Sequence, residues 1–136
     1  MRLLVDTSVW SLAFRKNNPS VKFAKVIDRL KKAIRDLDFE IIGPIRQEIL
    51  SGIKDKDRFE ELKVKLSVFK DLQIHTAEYE LAAEFYNECR SHGIQGSHID
   101  YLICAVAVNN QLKIFTLDSD FEQYRKYLPI ELESLD

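Results

Sequence analysis

A chain of 136 residues fits one compact domain spanning residues 1–136. With 46% hydrophobic and 31% charged residues, four glycines and three prolines, it is neither disordered, collagen-like nor built on disulfides. A formal net charge of -2 argues, taken alone, against strong nucleic-acid binding. One basic residue and a short apolar run precede Asp6, and no window approaches about 18 consecutive apolar residues, so neither a secretory leader nor a membrane span is expected. A cytoplasmic protein is the expectation.

The charge is unevenly spread. From Arg15 to Arg35 eight basic residues face one acidic residue, Asp28, whereas from Asp71 to Asp136 twelve acidic residues face four basic ones. The asymmetry implies a positive face suited to phosphate and a negative region, although a solvated lysine-rich helix face accounts for the first equally simply. Cys89 and Cys104 lie in apolar helix-like stretches without CxxC spacing and read as small core residues in a reducing compartment.

In chain order, residues 2 to 5, with the apolar run Leu3-Leu4-Val5, predict a short buried strand. From Ser20, Phe23, Val26, Ile27, Leu30, Ile34 and Leu37 recur at helical spacing, with lysines and arginines on the opposite face. Phe39 to Ile42 predicts a second strand, stopped by Gly43-Pro44, and Pro44 opens a helix that contains Glu48, Ile49 and Leu50. A helix from about Asp57 to Phe69, a weak strand at Leu72 to Ile74 and a helix from about Glu78 to His92, stopped by Gly93, come next. Ser97-His98-Ile99-Asp100 has the form of a capping box leading into Tyr101 to Asn109. Leu112 to Leu117 is a strand, Phe121 to Tyr127 a short helix and Ile130 to Leu132 a possible last strand. The alternation predicts an α/β fold with a mainly parallel central sheet flanked by helices.

Ligands of open α/β sheets bind beyond the carboxyl ends of the strands. Asp6 and Asp118 each follow a predicted strand, Glu48 and Asp100 lie near the starts of helices, and all can reach one sheet edge. Two unit charges about 4 Å apart repel by roughly 4 kcal/mol at an effective dielectric near 20, so such a cluster calls for a cation. Oxygen-only ligation favours Mg²⁺ or Mn²⁺ over zinc, and a metal so held can lower the pKa of bound water and orient a phosphodiester. Each acid also has a capping role open to it: Asp6 after the first strand, Asp100 in the box begun by Ser97, and Asp118 or Asp120 at the last helix, while Glu48 could be a surface residue favoured by the helix dipole.

The segments Leu3 to Trp10, Gly43 to Gly52, Asp100 with Leu102 to Ala107, and Thr116 to Phe121, in that order, resemble the PIN-domain nucleases, and most of all the VapC toxins of toxin–antitoxin pairs. The resemblance implies a Mg²⁺- or Mn²⁺-dependent endoribonuclease with Asp6, Glu48, Asp100 and an acid of the Asp118/Asp120 pair as its catalytic acids. Asp6 and Asp100 would be the main metal ligands. Family members place an acid just before the phenylalanine, which favours Asp120, but Asp118 stands closer to the strand, and the choice stays open. Thr7, Ser8 and Thr116 match polar positions that support the acids or contact phosphate, though Ser8 could equally cap the following helix. The resemblance also implies an RNA substrate, a VapB-type antitoxin as partner and a homodimer.

Trp10, Phe14 and Phe23 suit the core better than base stacking or a partner groove, and His75, His92 and His98 lack ligand spacing. Two other functions compete with the nuclease. One is a non-catalytic module that binds RNA or protein through the Arg15 to Arg35 face. The other is a phosphohydrolase with Asp6 as nucleophile, disfavoured because Ser8 stands where an Asp-x-Asp pair would place its second acid.

Overall fold

The computed structural model describes residues 2–14 and 21–135, with Lys22 described by its backbone alone. Arg15, Lys16 and Ser20, assigned above to the basic segment and the helix start, therefore lie outside the described residues, as does the Lys22 side chain. Strand β1 (Leu3–Val5) lies between β2 (Phe39–Glu40) and β3 (Lys113–Phe115), and both pairings are parallel. All three residues of β1 are fully buried, which is why the run is apolar throughout rather than alternating.

The strands are shorter than the apolar runs suggest, for identifiable reasons. Helix α3 (Gly43–Ser51), with Pro44 in its first turn, begins directly after Ile42, so β2 has no room to continue. The segment expected to pair at Leu72 to Ile74 consequently meets it through a single parallel bridge, Ile41 to Asp71. At the other edge Ile130 to Leu132 contributes one bridge, Ile114 to Leu132. Strand β3 stops at Phe115 because the Leu117 amide donates to the Ser8 hydroxyl at 2.9 Å instead of to a neighbouring strand.

The helices are α1 (Thr7–Ala13), α2 (Val21–Arg35), α3, α4 (Lys56–Leu66), α5 (Thr76–Ser91), α6 (His98–Asn109) and α7 (Asp120–Arg125). Helix α6 is buried continuously from Tyr101 to Ala107 and packs on α5 and β3, as an apolar stretch of that length requires. Helix α4, expected to reach Phe69, ends at Leu66, where the Arg46 guanidinium from α3 takes the Leu66 and Phe69 carbonyls at 2.8 and 2.7 Å. Helix α7 starts one residue earlier and ends two earlier than its pattern suggests.

Helix α5 ends as expected at Gly93, whose φ of 77° admits the left-handed turn. The Ile94 amide then bonds the Cys89 carbonyl and the Gly93 amide that of Arg90, at 2.9 and 3.0 Å. The same closure ends α2, with Leu37 in the left-handed position at φ 53°. Leu37, assigned above to the apolar stripe, is thus beyond the helix and 75% exposed. Trp10 is buried against Phe14, Phe39 and Phe69, and its indole donates to the Val5 carbonyl at 3.2 Å, which makes it a core residue. Phe14 and Phe23 also pack against the core, and both cysteines are buried thiols. Among the described residues no helix is long and apolar enough to cross a membrane.

Candidate active site

The sheet register generates the site. Val5 pairs with Phe115, and the Asp6 amide donates to the Phe115 carbonyl at 2.9 Å, so Asp6 and Thr116 emerge together where β1 and β3 end. Asp6 occupies the N-cap position of α1, yet its side chain makes no capping bond. It is a buried carboxylate, 7% exposed, whose Oδ2 accepts from the Thr116 hydroxyl at 2.7 Å and the Ser8 hydroxyl at 2.8 Å. Both hydroxyl protons are then committed to Asp6, so the 3.3 Å separation of Ser8 and Thr116 is an approach imposed by the shared acceptor. In turn Ser8 accepts the Leu117 amide and Thr116 accepts the Asp118 amide, at 2.9 and 3.0 Å. Ser8 therefore does not cap α1; it joins the start of α1 to the end of β3.

Asp100 arrives from the first turn of α6. Ser97 is the N-cap, and its hydroxyl accepts the Asp100 amide at 3.0 Å, which is the first half of the expected capping box. The carboxylate meanwhile reaches α7, where Asp100 Oδ2 accepts from the Tyr124 hydroxyl at 2.6 Å. Asp118 Oδ1 accepts the Asp120 amide at 2.9 Å and so shapes the entry to α7. One carboxylate oxygen from each of Asp100, Asp118 and Asp120 lies within 4.8 Å of the others. Asp118 and Asp120, the two candidates for the fourth acid, both lie in this cluster.

Asp6 lies outside that set of three, but its charge reaches Asp100. Burial pushes the Asp100 carboxyl above its ordinary range; hydrogen bonds from Tyr124 and Ser97 oppose this, and the Asp118 and Asp6 charges add to the rise. Glu48, in the second turn of α3, is exposed and accepts the Thr7 hydroxyl at 2.9 Å, which brings α3 to the residue beside Asp6. Cys104, one turn below Asp100, is fully buried with its thiol pushed well up by burial and then by the Asp100 charge, so it stays protonated. The histidines are occupied elsewhere: His98 stacks on Tyr86 with ring centres 4.9 Å apart, His92 on Tyr127 at 3.9 Å, and His75 sits at the N-cap position of α5.

The donor set offered by the cluster is therefore all carboxylate oxygen, which fits a hard divalent cation and not a zinc site of imidazole and thiolate. Tyr124, which bonds Asp100, and Gly96, which packs against Tyr124, were not legible as site residues. The one available signal is that Tyr124 falls one helical turn after Asp120.

A parallel α/β sheet with carboxylates gathered at the carboxyl ends of its strands defines the class: an α/β domain with an acidic cluster where open sheets bind their ligands. The PIN domain family model matches residues 3–127, and the chain belongs to that family. Its fold is similar to that of FitAcB from Neisseria gonorrhoeae, at 19% identity and a TM-score of 0.78 over 98% of this chain and 97% of that one. It is also similar to VapBC2 from Rickettsia felis bound to a promoter DNA fragment, at 17% identity and a TM-score of 0.76 over the full length of both chains. A toxin–antitoxin complex from Klebsiella pneumoniae matches at 19% identity and a TM-score of 0.65 over 89% of this chain and 90% of that one. No curated protein matches the chain.

Proposed function

We propose that this protein is a Mg²⁺- or Mn²⁺-dependent endoribonuclease that acts as the toxin of a type II toxin–antitoxin pair. The observation that carries the reading is the meeting of Asp100, Asp118 and Asp120 within 4.8 Å beside the buried Asp6, in a chain of the PIN family. Like charges so close are unfavourable unless a cation joins them. A divalent ion, when bound there, supplies charge neutralisation at the scissile phosphate and a more acidic water.

Asp100, Asp118 and Asp120 would hold the ion, joined by Asp6. Ser8 and Thr116 fix the Asp6 rotamer by donating to its carboxylate. Glu48, exposed and steadied by Thr7, is suited to orient the attacking water or accept its proton. Burial of Asp6 behind the strand ends keeps bulk water from its inner face. Helix α2 presents exposed Lys25, Lys31, Lys32 and Arg35, a surface that would attract RNA phosphates and lose that attraction as salt rises.

The toxin assignment draws on the fold shared with VapBC2 and with the Klebsiella toxin–antitoxin complex. The partner would be a VapB-type antitoxin that blocks the acidic site, and the working form a homodimer. The decisive measurement is RNA hydrolysis with Mg²⁺ or Mn²⁺ by the wild type, Asp6→Asn and Asp100→Asn. Both variants are expected to lose at least about a hundredfold in rate, the scale of losing an electrostatic contact at the reacting centre. Undiminished cleavage in both would overturn the assignment. RNA binding that survives EDTA without any cleavage would favour the non-catalytic module.

A further inference from the structure

We propose that Tyr124 is a positioning residue for the carboxylate cluster, its phenol fastening Asp100 of α6 to α7 and so setting the separation of Asp100 from Asp120. The inference rests on the metal-dependent reading above. Asp120 opens α7 and Tyr124 follows one turn later, so the two share a face of a helix only six residues long. The Tyr124 hydroxyl donates to Asp100 Oδ2 at 2.6 Å, a bond between side chains that ties the α6 acid of the cluster to α7. Through it a short helix is registered against the long buried α6.

The phenol itself has little freedom. Tyr124 is fully buried, with Tyr101 tilted against it at 5.0 Å and Phe121 edge-on at 5.2 Å between ring centres. Gly96 closes the remaining side. A Cβ at that position would lie 2.5 Å from the Tyr124 hydroxyl and 2.8 Å from both Cζ and the hydroxyl of Tyr101. Those contacts are shorter than real methyl groups make, so any other residue at 96 must push the ring that holds Asp100. Gly96 also immediately precedes Ser97, whose hydroxyl fixes the Asp100 backbone. Asp100 is thereby held at its amide by Ser97 and at its carboxylate by Tyr124, which directs one oxygen inward and reserves the other for a cation.

Groups behind metal ligands commonly govern affinity by tenfold to a hundredfold. The test is Mn²⁺ binding by electron paramagnetic resonance titration to the full chain, without RNA, for the wild type, Tyr124→Phe and Gly96→Ala. Tyr124→Phe keeps the ring and its packing and removes only the hydroxyl. Its Mn²⁺ affinity is expected to fall by about tenfold or more while its circular dichroism stays that of the wild type. Gly96→Ala, which leaves the hydroxyl in place but displaces it, is expected to weaken Mn²⁺ binding in the same direction. A merely structural tyrosine would lower thermal stability and leave the affinity alone. Folded Tyr124→Phe or Gly96→Ala binding Mn²⁺ within twofold of the wild type would overturn this inference only. A wild type that binds no Mn²⁺ would overturn it together with the metal-dependent function.

Discussion

Asp100 carries its carboxylate half-enclosed by protein, and that enclosure sets its electrostatics. Burial raises its pKa, and the nearby Asp118 and Asp6 charges raise it further, against the hydrogen bonds from Tyr124 and Ser97. The sign of the consequence follows from proton linkage. Between the unfolded carboxyl pKa and the raised folded one, the native chain binds more protons than the unfolded chain, so stability falls as pH rises through that window. Above it the ionised Asp100 is a standing cost to the metal-free fold. Asp100→Asn, which keeps an acceptor for Tyr124 and removes the charge, is therefore expected to melt a few degrees higher than the wild type in EDTA at pH 7. The gain should shrink as the pH is lowered toward the ordinary carboxyl range and vanish below it, and calorimetry from pH 8 down to about 3 checks it; a variant less stable than the wild type at pH 7 would sink the electrostatic account. The acids themselves were readable from the chain because Asp6 and Asp118 follow strands and Asp100 sits three residues after a capping serine. Tyr124 was not, because a hydroxyl bonding a carboxylate 24 residues away leaves no local mark.

At the scale of elements, apolar spacing located most of the helices and the three strands of a parallel sheet, while hydrogen bonds between distant segments set the boundaries. Helix α4 ends where Arg46 reaches its last carbonyls, and β3 ends where Ser8 takes the Leu117 amide. Neither event has a signature in the segment it terminates. Leu37 shows the same limit, since it continues the periodicity of α2 but stands in the left-handed closing position. A non-glycine residue there costs about 1–2 kcal/mol, and its 75% exposure leaves little packing to offset that. Leu37→Gly is thus expected to stabilise the protein by about 1 kcal/mol, after the loss of chain entropy that glycine brings. A urea midpoint that rises without a change in slope would report it; a midpoint that falls would mean the exposed leucine packs more strongly than its accessibility indicates.

Over the whole molecule, the core must hold together a cluster that electrostatics would scatter. The sheet, the Trp10 aromatic group and the apolar α6 supply that framework, and three carboxylates within 4.8 Å are carried on it. The framework is fixed by apolar packing, so the acids lower stability without being able to move apart. A ligand that binds only the folded arrangement then returns stability in proportion to the logarithm of its concentration. At a hundred times the dissociation constant the gain is about 2.7 kcal/mol. Adding Mn²⁺ should accordingly raise the melting temperature progressively, and EDTA should reverse the rise. The response should be blunted in Asp118→Asn/Asp120→Asn, whose own metal-free stability should exceed that of the wild type because repulsion has been relieved. Potassium chloride at matched ionic strength separates the two physical sources, since screening relaxes repulsion without occupying the site. If potassium chloride raised the melting temperature as far as Mn²⁺ does, the cluster would be an exposed acidic patch and not a cation site.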